Sequence, residues 1–216
     1  MKVVDKEAIR TEQENTPEGK KKKLIKRIIT AVAVAVFLAF VYWSSRSPVF
    51  NGKPFTVSID GMEIIPGETK VHELIDANFK IGKNEFDSVS RSWRFYQYNT
   101  TEKMEKNTFL TGIDLHKDGE NIAVLEITNY ATQKPISECR VTDVTVYLKN
   151  ADKAKILIDG TPITDFTLDN LSTYYKDIKE SVRGYAYKDK NYKIEFILEE
   201  GKIDRILSDF DKNSKQ

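Results

Sequence analysis

The sequence predicts an α+β protein, in which one N-terminal transmembrane helix is followed by an extracytoplasmic domain of antiparallel sheet with short helices. Three observations lead there. A lysine cluster runs into a block of twenty mostly apolar residues at 24–43. Beyond it, alternating apolar and polar runs are separated by Asp-Gly and Glu-Gly pairs, the pattern of strands joined by tight turns. A hairpin followed by a short helix also occurs twice, with Ile59-Asp60-Gly61 matched by Ile158-Asp159-Gly160 at a spacing of 99 and Leu74 by Leu171 at 97. That repetition is expected to mark an internal duplication; its alternative is a coincidence of common hairpin signals.

The apolar block is the first element. Residues 28–43 carry no charge, and Lys26 and Arg27 sit where long stems return their charges to the headgroups. Twenty helical residues span ~30 Å, the thickness of a hydrocarbon core. Tyr42 and Trp43 close the far end, as an aromatic belt does. A cleaved signal peptide would end in small residues, whereas this block exits through Phe40-Val41-Tyr42-Trp43. Residues 1–27 hold nine Lys/Arg against five Asp/Glu, and residues 44–216 hold twenty-five against twenty-eight. The basic excess therefore flanks the span, which keeps the N-terminus cytoplasmic and places the larger part outside the cell membrane. It gives no sign of nucleic-acid binding.

The remaining divisions follow in order. Residues 1–23 are polar, lack a hydrophobic period and are expected to form a disordered cytoplasmic tail. Residues 44–54, with two Pro, one Gly and three Ser, form a linker. Fully extended it reaches at most ~35–40 Å, which holds the domain near the outer leaflet. Residues 55–150 and 151–216 are the two expected α+β units. In the first, strands at 55–59 and 62–65 precede a helix capped by Thr69, with Val71, Leu74 and Ile75 on one face. Strands follow at 92–98, 108–116, 122–128 and 138–148. In the second, 154–158 and 161–163 precede a helix capped by Thr167, and strands follow at 183–187, 192–198 and 202–207. In the strand at 192–198 Lys193 and Glu195 are expected to face solvent.

Residues 129–141, with their Asn129, Pro135-Ile136, Glu138-Cys139 and Val141, resemble a stretch in uncharacterised membrane-anchored surface proteins of low-GC Gram-positive bacteria. The ending Tyr192-x-Ile194-x-Phe196…Gly201-Lys202-Ile203-x-x-Ile206 is similar to the closing hairpin of the β-lactamase-inhibitor-like modules found there. The likeness covers about half of the outer domain, and the chain has no lipobox cysteine. It implies an α+β module with a binding role and no catalytic residues.

Few residues invite chemistry. His72-Glu73-x-x-Asp76 offers a zinc site too few ligands, and Asp209-x-Asp211-x-Asn213 lacks the glycine and the distal glutamate of a calcium loop. No phosphate-binding glycine loop is present, so neither a metal nor another cofactor is expected. Cys139, the single cysteine, reads as a small buried hydrophobe. The one suggestive stretch is Arg91-x-Trp93-Arg94-x-Tyr96, where aromatics beside arginines can anchor a partner. Its alternative is a strand whose alternate aromatics pack in the core. The expectation is a non-enzymatic, membrane-tethered binding module whose contacts are the lipid bilayer and an envelope protein, with oligomeric state left open. The second reading is an accessory assembly subunit of a secretion or conjugation machine.

Overall fold

The computed structural model describes residues 17–46 and 52–211 and divides the chain into two compact units, residues 1–50 and 51–216. In the first unit, helix α1 runs Pro17–Arg46. It begins inside the stretch expected as disordered tail, because Pro17 suits the first helical position and Glu18 and the lysine run are good helix formers. It also continues through residues 44–46 of the expected linker. Over the residues described in full, no helix is long and apolar enough to cross a membrane. Phe40 and Trp43 of the uncharged run fall outside that set.

The second unit is mostly antiparallel sheet. Its strands are β1 (Val57–Ile59), β2 (Met62–Ile64), β3 (Lys80–Asp87), β4 (Ser92–Gln97), β5 (Lys103–Met104), β6 (Thr108–Lys117), β7 (Glu120–Asn129), β8 (Lys134–Pro135) and β9 (Arg140–Tyr147). In the second half come β10 (Ile156–Ile158), β11 (Thr161–Pro162), β12 (Lys179–Ser181), β13 (Gly184–Asp189), β14 (Tyr192–Glu199) and β15 (Lys202–Phe210). Two short helices, α2 (Val71–Asp76) and α3 (Leu171–Tyr174), complete the inventory with single 3₁₀ turns. Strands β3, β5, β8 and β12 are additions to the elements expected from sequence. Thr69 is not the cap of α2: its hydroxyl accepts from the Ile65 amide at 2.8 Å, while the Lys70 amide donates to Glu73 Oε1.

The halves are not separate bodies. One sheet of nine strands runs β12-β13-β14-β15-β9-β7-β6-β3-β4, and its middle joins β15 of the second half to β9 of the first. A four-stranded sheet, β11-β10-β1-β2, likewise pairs β1 with β10. Matching geometry relates the halves. The β1–β10 register pairs Val57 with Ile158 and Ile59 with Ile156, so exchanging residues 99 apart maps the pairing onto itself. The Asp60 carboxylate accepts from the Lys155 amide at 2.8 Å, and the Asp159 carboxylate accepts from the Thr56 amide at 2.9 Å, which are equivalent contacts. Asp60 and Asp159 share φ near 50°, as the first residue of an Asp-Gly turn requires. In the large sheet, β3-β6-β7-β9 and β12-β13-β14-β15 are each meanders whose last strands meet in the middle.

The core lies on one face of the large sheet, where Leu115, Leu125, Val144, Ile206 and Phe196 are buried beneath the smaller sheet's Val57, Ile59 and Ile158 and the helix residues Leu74 and Leu171. Cys139 is part of it, and burial pushes its thiol up. Glu195 departs from the expected solvent-facing position. It is buried on the opposite face, held by Arg183 at 2.9 Å and Lys193 at 2.8 Å.

Candidate interaction surface

At one end of the large sheet, a hairpin leaves the body. Strand β3 pairs with β6 only at Lys80, Ile81 and Gly82, but with β4 from Gly82 to Asp87. Beyond Gly82 the two strands run on as an arm. The reason lies in β6, where the register slips between Leu110 and Ile113 and Gly112 has φ 63°, turning β6 away.

The base of the arm is pinned by polar contacts. Asp114 Oδ2 accepts from the Asn84 amide and Asp114 Oδ1 from Asn121 Nδ2, both at 2.6 Å. Asn84 Nδ2 donates to His116 Nε2 at 3.0 Å, and the Phe95 ring stacks on the same imidazole with centroids 3.9 Å apart. Burial holds His116 below its ordinary pKa, which suits an acceptor nitrogen. The tip is equally ordered. Asp87 accepts from the Val89 amide at 2.9 Å and the Ser90 hydroxyl at 2.8 Å, and its Oδ2 lies 3.2 Å from Arg94 Nε. The Ser90 hydroxyl contributes most to holding the Asp87 carboxyl below its usual range.

All four residues singled out from sequence lie on this arm. Trp93 is 71% exposed and Tyr96 49%, so the alternative in which this strand packs into the core does not hold. The reason is that, among the described residues, β3 beyond Gly82 pairs with β4 alone, and only the base of the arm, where Phe95 stacks on His116, is covered. Pairing splits the set: Trp93 opposes Phe86 on one face, Arg94 and Tyr96 lie on the other, and Arg91 occupies the turn with φ 49°. Trp93 and Phe86, itself 54% exposed, meet edge to face at 5.7 Å. The tyrosines elsewhere divide differently, with Tyr175 and Tyr192 buried in the core.

A second feature went unseen in the sequence. On the face away from the core, Glu126 opposes Asp143 and Asp143 opposes Asp209 across adjacent strands. These carboxylates, with Phe109, Tyr130 and Asp211, line an open cleft of about 640 Å³. Burial, then Asp209 and Glu126, pushes Asp143 up to about 8, and Thr145 Oγ1 lies 3.4 Å from its Oδ1. Burial, then Glu126 and Asp211, raises Asp209 to about 6. Only strand register brings these acids together, so no local motif signals them. Among the described residues no group of three or more His, Cys, Asp or Glu is arranged to hold a metal ion. His72 instead lies against the Ser137 carbonyl at 3.3 Å, and His116 serves the arm. Neither a family model, nor a curated protein, nor a solved structure matches the chain.

Proposed function

We propose that this protein is a membrane-tethered, extracytoplasmic interaction module without catalytic activity, and that the β3–β4 arm is its contact element. The single observation that carries the reading is the exposed Phe86–Trp93 pair on an arm whose base and turn are both held in place. An ordered hairpin with apolar area on its outside loses little entropy on binding, the condition under which a small aromatic patch becomes a hot spot. Tethering is supported by the uncharged run at 28–43 and the basic residues before it. It is supported too by exposed apolar side chains all round α1, among them Ile28, Ile29, Val32, Phe37 and Leu38, which need an apolar surrounding. We infer further that the second unit arose by duplication, for which the equivalent Asp60 and Asp159 contacts speak.

The test is photo-crosslinking in intact cells from a benzoyl-phenylalanine placed at Val89, the residue at the arm's tip. One recurrent adduct is expected, and Trp93→Ala and Phe86→Ala should each reduce it at least fivefold at unchanged protein level. An adduct pattern indifferent to both substitutions would remove the arm from the proposal. A reporter enzyme joined after Phe210 tests the topology: activity confined to the cytoplasm would refute the extracytoplasmic placement.

A further inference from the structure

The arm also ends the sheet. Among the described residues, strand β4 has β3 on one side and no strand on the other, whereas the opposite end of the sheet is closed by β12, three residues long and reading Lys179-Glu180-Ser181. Short, charged edges of that kind resist further pairing. By contrast β4 is six residues, Ser92–Gln97, with an unbroken register, no proline, one charge and three aromatics. It carries none of the usual devices that blunt an edge.

Backbone directions along β4 follow from one bond. The Tyr98 amide donates to the Ile81 carbonyl at 2.9 Å, so that pair exchanges hydrogen bonds and the alternate residues of β4 do not face β3. The bonding groups of Trp93, Phe95 and Gln97 therefore point to the open side. The Asn84 amide, opposite Phe95, confirms the alternation by pointing away from β4 to Asp114.

We infer that this edge pairs antiparallel with β4 of a second copy of the chain, about a twofold axis through Phe95. The inference rests on the arm being the contact element and names what it contacts. An antiparallel edge-to-edge pair requires a twofold perpendicular to the sheet, and this keeps each residue opposite one of the same face. Centred on Phe95, Trp93 opposes Gln97 of the second copy, Phe95 opposes itself, and Gln97 opposes Trp93. All three outward-pointing residues then exchange bonds, and Arg94 falls opposite a tyrosine, Tyr96, which suits cation–π contact. Centring on Arg94 would set two guanidinium groups face to face, and centring on Tyr96 would leave Trp93 outside the paired strand. The product is one continuous sheet through two copies. Six-residue pairing buries little area, but two chains confined to one membrane surface meet at high effective concentration.

The experiment is sedimentation equilibrium of the full chain in density-matched detergent over a hundredfold concentration range. Amide hydrogen exchange at Trp93, Phe95 and Gln97 is measured on the same samples. A monomer–dimer equilibrium is expected, with these three amides protected only in the dimer. Trp93→Pro removes an outward amide that β3 does not use, so the monomer keeps its fold while dimer dissociation rises at least tenfold. Trp93→Ala keeps the amide but loses the aromatic side chain, so it should weaken the dimer about fivefold, less than Trp93→Pro does. A monomer at every concentration, or a dimer indifferent to Trp93→Pro, overturns the inference. If the chain stays monomeric while Trp93→Ala still abolishes the in-cell adduct, self-pairing fails and the arm keeps its role toward a different partner.

Discussion

Replacing Asp143 by Asn tests whether the acidic row strains the fold. Asp143 stands between Glu126 and Asp209 on neighbouring strands, with its carboxyl raised from 3.8 to about 8. At ~1.4 kcal/mol per tenfold change in affinity for the proton, that displacement corresponds to about 5–6 kcal/mol for a group acting alone. Asp209 and Glu126 carry part of it, so about 2–3 kcal/mol is the expected gain when Asp143 alone is made neutral. The sign follows from linkage. A carboxyl whose pKa rises on folding favours the fold while protonated, and this contribution is lost as pH climbs from about 4 to about 8. The isosteric amide cannot ionise and still accepts from Thr145. Urea unfolding of parent and variant, followed by circular dichroism at pH 5, 7 and 9, gives the difference directly. The curves should lie within about 1 kcal/mol at pH 5 and separate by about 2–3 kcal/mol at pH 9. A gap that stays constant with pH would show that Asp143 is not held against its charge.

Two other substitutions probe the arm and the core. A β-carbon added at Gly82 would land on the Tyr96 carbonyl and against the Phe95 ring. Gly82→Ala should therefore loosen the arm from its base at a cost of about 2 kcal/mol or more, read as new protease cleavage within residues 83–96. The buried Asn129 amide donates to the Met104, Glu105 and Thr132 carbonyls at 2.8, 3.1 and 3.1 Å, and its oxygen accepts from the Ala131 amide at 3.0 Å. Asn129→Ala leaves that shell unpaired and should lower stability by about 2–4 kcal/mol at an unchanged urea slope.

Most of the meander was legible because strands with one buried face are selected for alternation. Where burial is absent, so is the signal. Lys80–Asp87 shows no clean period because most of it belongs to an arm with little burial beyond its base, and the short β12 edge is polar because it too is little buried. The site stretch was recognisable by composition at Trp93 and Arg94, yet its exposure could not be read, since aromatic alternation describes a core strand equally well. Glu195 misled in the opposite sense: a charge on a strand reads as solvent-facing, but Arg183 and Lys193 allow it to be buried. The acidic row needs the register of three strands, β7, β9 and β15, and has no local trace. Its members, Glu126, Asp143 and Asp209, span most of the second half of the chain.

The seam between β9 and β15, with that between β1 and β10, sets the order in which the protein can be completed during synthesis. When residues 52–150 have emerged, β1 has only β2 beside it and β9 only β7; their other partners come later. Both are apolar on the core side, so a half-made chain presents two adhesive edges for as long as translation of the remainder takes. Closure brings together residues about 100 apart at the first seam and about 60 apart at the second. Such non-local pairings slow folding, so this chain is expected to need escort before it is finished more than afterwards.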